Sequence, residues 1–124
     1  MTVRKVRSKY GSHKTQIDGI TFESKAEAKR YQELALLERA GHISDLRRQV
    51  KYVLLQSKRN AAGYLERETA YVADFVYVNH LGQSVVEDTK SIATRTPEYV
   101  IKRKLMLHVH GITITEVGVK PRKK

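Results

Sequence analysis

Apolar residues recur with two different periods along the chain, and the change of period predicts where helices and strands lie. In residues 24–40 and 97–110 the apolar positions fall three or four apart, the spacing of an amphipathic helix. Four stretches are rich in β-branched and aromatic residues, as is typical of strands: residues 46–56, 68–78, 84–90 and 112–117. After an initial hairpin over residues 14–22, the predicted order is therefore α-β-β-β-α-β.

This order predicts the kind of sheet. The first three long strands follow one another without a helix, so they can form an antiparallel meander. The last strand follows a helical crossover, so we expect it to pair in parallel with a strand of that meander. The predicted fold class is α/β with a mixed sheet, in the α+β sense that helices and strands are not strictly alternating. The helices pack on this sheet, and a hairpin lies at the N-terminal side.

Short-range signals predict the element ends. Asp18-Gly19 is a favoured two-residue hairpin turn, because glycine tolerates a positive φ. Ser24 and Glu27 have the spacing of a capping box, which makes Ser24 the expected N-cap of the first helix. Gly41 is expected to end that helix.

The length of 124 residues predicts one small domain. We expect residues 1–12 to be a mobile basic arm, residues 14–117 to be the folded core and residues 118–124 to be a basic tail. Within the core, residues 58–63 are expected to form a loop.

The strongest global signal is charge: 24 Lys and Arg against 13 Asp and Glu give a net charge of +11. Such a field attracts polyanions, so nucleic acid is the expected partner. No apolar run approaches the length of about 18 residues that a membrane span requires, and a membrane partner is not expected. The chain has no cysteine, which excludes disulfides and thiolate zinc sites and fits the cytoplasm.

The pattern acid-any-Lys occurs three times, at residues 23–25, 27–29 and 88–90. The first straddles a helix start, and in the second the two side chains diverge around a helix. In the third, on a predicted strand, Asp88 and Lys90 project to the same face. Glu87 is the competing acid, but its parity points it to the other face.

Asp74 interrupts the apolar run of residues 71–78 on the preceding strand. A carboxylate there is costly to bury unless a cation or a metal ion pairs with it. One interpretation is an ion pair with a nearby Arg or Lys. The other is a site in which Asp74, Asp88 and Lys90 converge, hold a divalent cation and polarise a water that attacks a phosphodiester.

The order of these motifs resembles the PD-(D/E)XK phosphodiesterase superfamily, whose core is also α-β-β-β-α-β. Within it, the chain is most similar to small phage and prophage proteins akin to Holliday-junction resolvases. The resemblance covers residues 14–117, and one departure is Ala73, which stands where the motif's proline would precede Asp74. The motif residues that carry the resemblance are Ser24 and Glu27 on the first helix, Gln49 on the next strand, then Asp74, Asp88 and Lys90.

The resemblance implies the roles of a metal-dependent DNA endonuclease. Asp74 and Asp88 would bind Mg²⁺ or Mn²⁺, together with the Thr89 carbonyl and with Glu27 directly or through water. Lys90 would position the attacking water, and Gln49 would complete the catalytic set. Glu27 retains a second interpretation as the capping-box acid. The implied substrate is DNA, with branched junctions as one candidate form and a homodimer as one candidate assembly.

Basic residues flanking this site are candidates for phosphate contacts, although any one of them can equally be a solvated surface charge. The candidates are Arg4, Lys5 and Arg7 in the arm, Lys25 and Arg30 on the first helix, Arg47 and Arg48 on the next strand, and Lys102 and Arg103 on the second helix. Tyr10, Tyr64 and Tyr99 are candidates for stacking on unpaired bases, with core packing as the alternative.

Two other functions stay open on the sequence. One is a catalytically silent nucleic-acid-binding protein of the same fold, in which the acids pair with basic neighbours. The other is an RNA-binding protein of ribosomal type, which would explain the charge but not the acids on the strands. A response to metal ions distinguishes the nuclease from both.

Overall fold

The computed structural model describes residues 3–7, 13–91 and 93–118 and has two helices on an α+β framework. In chain order the elements are β1 (Val3–Arg7), β2 (His13–Ile17), β3 (Ile20–Phe22), α1 (Lys25–Arg39), β4 (Ser44–Leu55), β5 (Lys58–Arg59), β6 (Leu65–Glu66), β7 (Thr69–Val78), β8 (Ser84–Thr89), α2 (Pro97–His110) and β9 (Thr115–Val117). The predicted fold class is confirmed, and the long elements follow the order α-β-β-β-α-β. In the part of the chain described, no helix is long and apolar enough to cross a membrane.

The main sheet has the strand order β4-β7-β8-β9. The neighbours β4, β7 and β8 are antiparallel, as expected for a meander. β9 returns after α2 and pairs in parallel with β8, so the predicted crossover is confirmed. The strand is shorter than predicted, because residues 112–114 approach the sheet without pairing in it.

The N-terminal region differs from the prediction in one respect. β2 and β3 form the expected hairpin, and both turn residues, Asp18 and Gly19, have positive φ. Residues 3–7, however, are not a free arm: they form β1, which pairs with β2 along its whole length. Val3 and Val6 are three residues apart, so the sequence of this segment lacks the two-residue alternation that predicts a strand. The remaining residues predicted for the arm, and the tail from residue 119 onward, lie outside the described residues.

The α1 ends follow the predicted signals. The Ser24 side chain accepts a hydrogen bond from the Glu27 backbone N–H, which makes it the N-cap. The helix ends at Arg39, and Gly41 follows with φ of 80°. Glu38 is exposed near the end of the helix, and its carboxylate accepts a hydrogen bond from the Leu46 backbone N–H, at 2.8 Å.

The helices cover opposite faces of the sheet. Phe75 and Tyr77 of β7 belong to a cluster with Ala28 and Leu34 of α1. Val76, between them, belongs to a second cluster that contains two α2 residues, Tyr99 and Met106. Neighbouring residues of a strand point to opposite faces, so each helix closes its own core. The acids on β7 and β8 are therefore distributed between two different environments.

The prediction of a loop over residues 58–63 is partly wrong. β5 and β6 form a small antiparallel ribbon, in which Lys58 is opposite Glu66 and Arg59 is opposite Leu65. The short strands are too polar for a hydrophobic pattern to reveal them. The ribbon extends beyond the point where Leu55 of β4 pairs with Thr69 of β7.

Candidate active site

Asp74 and Asp88 face each other across two neighbouring strands. The register pairs Phe75 with Glu87, which brings Asp74 opposite Asp88 at the next position. The Asp74 carboxylate also accepts a hydrogen bond from the Thr89 backbone N–H, at 2.9 Å. Thr89, predicted to offer its carbonyl to a metal, thus has a described contact through its N–H, which orients Asp74 toward the end of β8.

Lys90 meets Asp88 as their shared parity predicts. Its Nζ lies 3.0 Å from Asp88 Oδ2 and 4.3 Å from the centre of the Tyr99 ring. Asp88 is only 3% exposed, whereas Lys90 retains partial access to solvent. The carboxylate is therefore held in place by a cation that can still reach a ligand.

Glu87 is directed to the opposite face and belongs to a separate network. Arg30 donates two hydrogen bonds to its carboxylate, from Nε at 2.8 Å and from a terminal nitrogen at 2.7 Å. The Tyr77 hydroxyl donates a further one. Glu87 is 1% exposed and its carboxylate is engaged on this face, whereas Asp88 faces Asp74.

Glu27 and Gln49 adjoin the acidic pair from the other side. β4 pairs Arg48 with Phe75 and Val50 with Ala73, which brings Gln49 opposite Asp74. The Gln49 side-chain amide donates to Glu27 Oε1 at 3.3 Å, and Gln49 has a φ of 52° in the left-handed region. Such a backbone is uncommon for residues with a side chain and often marks a functional position.

The Glu27 carboxyl is both a helix-start group and a neighbour of the acids. Its pKa is raised by burial, while the positive charge of Arg48 and a backbone hydrogen bond from Glu23 act in the opposite direction. The negative charge of Asp88 also raises it. The two interpretations of Glu27 are therefore compatible, because one carboxyl serves the helix terminus and faces the site.

A cleft with a volume of about 350 Å³ opens beside the acidic pair. Tyr71, which the sequence did not single out, and Tyr99, a candidate for base stacking, form part of its wall. Burial raises the pKa of the Tyr71 hydroxyl, and the negative charge of Asp88 raises it further. The lining residues include Asp74, Asp88, Lys90, Thr94, Thr96 and Lys102. Tyr71 sits three positions before Asp74, but in sequence it reads as an ordinary core aromatic.

Burial and repulsion make Asp74 hard to ionise. Burial raises the pKa of Asp74 to about 8, and the hydrogen bond and negative charge of Asp88 contribute, while the Thr89 N–H acts in the opposite direction. Two carboxyl groups that face each other and are joined by a hydrogen bond share one proton unless a cation takes its place. The pair is thus poised to exchange a proton for a positive ion.

Whether these residues fit a divalent metal depends on the number of acids that converge. No group of three or more His, Asp or Glu suited to a metal is found among the residues described. Mg²⁺, however, is usually held by one or two carboxylates and completes its shell with water and substrate phosphate. Asp74 and Asp88 fit this pattern, since their mutual repulsion favours a shared cation and the cleft leaves room for water.

The basic residues predicted to contact phosphate lie in different parts of the structure. Lys102 lines the cleft, and its Nζ is 3.1 Å from Glu98 at the outer edge. Lys25 and Arg47 lie at the surface of α1 and β4. Arg4, Lys5 and Arg7 lie on β1, but their side chains are outside the described part of the chain.

Three of the arginines predicted to contact phosphate have internal partners for their guanidinium groups. Arg30 is bound to Glu87. Arg48 lies 4.5 Å from the centre of the Phe22 ring and 3.9 Å from Glu27. Arg103 is 3.4 Å from Glu116 of β9. The sequence predicted available cations at these three positions because it does not show which acids lie close to them in the fold.

The raised pKa of Asp74 predicts a stabilising substitution. Its folded pKa of about 8 exceeds the ordinary value of 3.8, so the folded state binds the extra proton and stability falls as pH rises between these values. Asp74→Asn should therefore stabilise the protein in EDTA by about 1–3 kcal/mol more at pH 8.5 than at pH 5, after allowance for solvent screening. Urea unfolding at both pH values measures this difference, and an equal effect at both would contradict it.

Comparison with known proteins gives a family and no described function. No curated protein and no solved structure gives a significant match to the chain. One family model matches residues 7–117, which is most of the chain and includes every acid of the candidate site. The chain therefore belongs to the family described as "Protein of unknown function (DUF1064)".

Proposed function

We propose that this protein is a metal-dependent DNA endonuclease of the PD-(D/E)XK kind, which hydrolyses phosphodiester bonds. The observation that carries the proposal is the facing pair Asp74 and Asp88, with the Lys90 ammonium on Asp88 and an open cleft beside them. The net charge of +11 supports a polyanionic substrate. Catalytic carboxylates are commonly found with raised pKa values, as at Asp74.

The chain's own groups divide the work of hydrolysis. Asp74 and Asp88 would hold Mg²⁺ or Mn²⁺, which when bound activates water and neutralises phosphate charge. Lys90, fixed by Asp88 and by the Tyr99 ring, would orient the attacking water and stabilise the charge that develops on the phosphoryl oxygens. The Glu27–Gln49 pair would orient the site from the β4 side.

Lys102 is the most direct candidate for a phosphate contact. It lies in the same cleft as both acids, and its side chain is partly exposed. A lysine at the edge of a site positions the backbone of DNA without reading its sequence. A phosphate that enters the cleft would therefore lie between Lys102 and Lys90.

The substrate form and the setting rest on the family resemblance. We propose branched DNA, such as a Holliday junction, as the preferred substrate. Cutting two strands of a junction favours a homodimer with two sites. Such a substrate places the protein in the cytoplasm, which is the bacterial host cytoplasm if the chain is phage-encoded.

A specific observation favours a second candidate, the silent binding protein of the same fold. Lys90 already lies 3.0 Å from Asp88, and no third acid completes a metal group among the described residues. In that protein, Lys90 would take the place of the metal and the acids would have no catalytic role. The response to metal ions separates the two functions.

The test is cleavage of three end-labelled DNAs: a four-way junction, a linear duplex and a single strand. Each is incubated with the unmodified protein in Mg²⁺, in Mn²⁺ or in EDTA. The nuclease is expected to cut in either metal, to stop in EDTA and to cut the junction fastest. Tight binding without cutting in every metal would leave the silent binding protein.

A further inference from the structure

The β5–β6 ribbon is an ordered element without a hydrophobic core. Every residue from 55 to 68 is exposed, so little apolar burial stabilises the segment. The ribbon leaves the main sheet where Leu55 and Thr69 pair, and the next residues of β7, Ala70 and Tyr71, line the cleft. It is thus attached directly to the end of the candidate active site.

The tip of the ribbon is held by its own hydrogen bonds. The Asn60 side-chain oxygen accepts from the backbone N–H groups of Ala62 and Tyr64, both at 3.0 Å. Arg59 donates to the Gly63 carbonyl at 3.0 Å. These bonds hold the loop backbone in one arrangement before any ligand arrives, which reduces the entropy lost on binding.

The charges of the ribbon favour an anionic partner. Its two acids are engaged: Glu68 is 2.6 Å from the Lys51 ammonium, and Glu66 accepts from the Asn60 amide. Lys58 and Arg67 are exposed and form no ion pair with any residue the structure describes. Lys58 lies opposite Glu66 in the ribbon register, but neither Lys58 nor Arg67 is in ion-pair contact with an acid of the described chain, so both can still reach an anionic ligand.

An aromatic side chain accompanies these cations. Tyr64 is 73% exposed at the tip, the highest value among the exposed large hydrophobic residues described, and Leu65 follows it at 53%. Tyr99, the other described tyrosine considered for base stacking, is buried in the α2 core. A preformed tip with an exposed ring and flanking cations matches the elements that bind single-stranded nucleic acid.

We propose that the ribbon is a second DNA contact, in which Tyr64 stacks on an unpaired base while Lys58 and Arg67 bind phosphates. Ten residues separate Tyr64 from Asp74, so the two residues lie at most about 36 Å apart. That upper limit is close to one turn of duplex DNA. The ribbon would engage unpaired DNA within about one turn of the site and favour forked over fully paired substrates. The inference rests on the proposed function in taking DNA as the ligand, but not on cleavage.

Binding is measured in EDTA by fluorescence anisotropy, with a labelled 30-base-pair duplex and a fork that has the same duplex and two single-stranded arms. Tyr64→Ala should weaken binding to the fork about tenfold and to the duplex less than threefold. Tyr64→Phe retains the ring and should bind both like the unmodified protein. The fork preference should therefore disappear in the alanine variant alone.

The cations are tested by the dependence of affinity on salt. Arg67→Gln should lower the slope of log K against log salt by about 0.7 on the fork, the value for one phosphate contact on a single strand. Arg39→Gln removes the same charge from the end of α1 and should leave the slope unchanged. An equal reduction in both variants would reflect net charge rather than a contact, and would overturn the assignment of Arg67.

The experiments distinguish a failure of the ribbon inference from a failure of the nuclease proposal. Ribbon variants that bind the fork like the unmodified protein would overturn the inference even if Mg²⁺-dependent cleavage is observed. Weakened fork binding by Tyr64→Ala supports it even if nothing is cut. Unchanged DNA binding, together with a loss of self-association in light scattering, would assign Tyr64 to a protein contact and would also overturn it.

Discussion

Asp88→Asn is expected to reduce Mg²⁺-dependent cleavage on the order of 1,000-fold while the protein remains folded. The substitution keeps the shape of the side chain but removes the negative charge that faces Asp74 and pairs with Lys90. Without that charge, the site loses one of the two carboxylates proposed to hold the cation, so the metal is bound more weakly and positions the attacking water less well. Initial rates on the labelled junction at saturating Mg²⁺ measure the loss.

The matched control is Asp45→Asn. Asp45 is an exposed acid on β4 that lies 3.6 Å from Arg47, outside the cleft. Its loss changes net charge by the same amount and should leave the cleavage rate within about twofold. Lys90→Ala should lower the rate about 100-fold or more, since it removes the ammonium from the developing charge. Cleavage by Asp88→Asn within tenfold of the unmodified rate would place the chemistry elsewhere.

Arg30→Ala is expected to destabilise the fold by about 3 kcal/mol. Glu87 is 1% exposed, and Arg30 supplies two of its hydrogen bonds, so the substitution leaves a buried carboxylate with a single tyrosine donor. The cost arises from the unpaired charge, not from the lost attraction alone. The melting temperature should fall by about 10 °C or more for a chain of this size.

Two further variants test that mechanism. Tyr77→Phe removes one hydrogen bond and keeps the ion pair, so a loss of about 1 kcal/mol is expected. Replacing both Arg30 and Glu87 by Met removes the charges together and should recover most of the stability lost in Arg30→Ala. A double variant as unstable as Arg30→Ala would show that packing, rather than the unpaired charge, causes the loss.

The placement of Arg30 shows why single cations are hard to assign from sequence. On the helix, Arg30 follows Lys29 and reads as one of several surface charges. In the structure it reaches β8, 57 positions along the chain, because Glu87 points toward α1. Arg103 likewise forms an ion pair with Glu116 of β9. Long-range ion pairs of this kind depend on which strands become neighbours.

Local signals, by contrast, predicted the helices and the N-terminal hairpin closely. Ser24 caps α1, Asp18-Gly19 forms the turn, and α2 has the predicted bounds Pro97–His110. These features depend on hydrogen bonds and backbone angles within a few residues, so a local pattern contains the information. The β5–β6 ribbon was missed because its strands are short, polar and without a buried face.

The sequence by itself determined the order of the long elements, the parity that joins Asp88 to Lys90, and the excess of positive charge. Only the tertiary structure decided that Asp74 faces Asp88, that Gln49 lies beside them, and that Glu87 belongs to a different network. The reason is physical: periodicity sets the face on which a side chain lies, whereas strand register and helix packing set its neighbours across the chain.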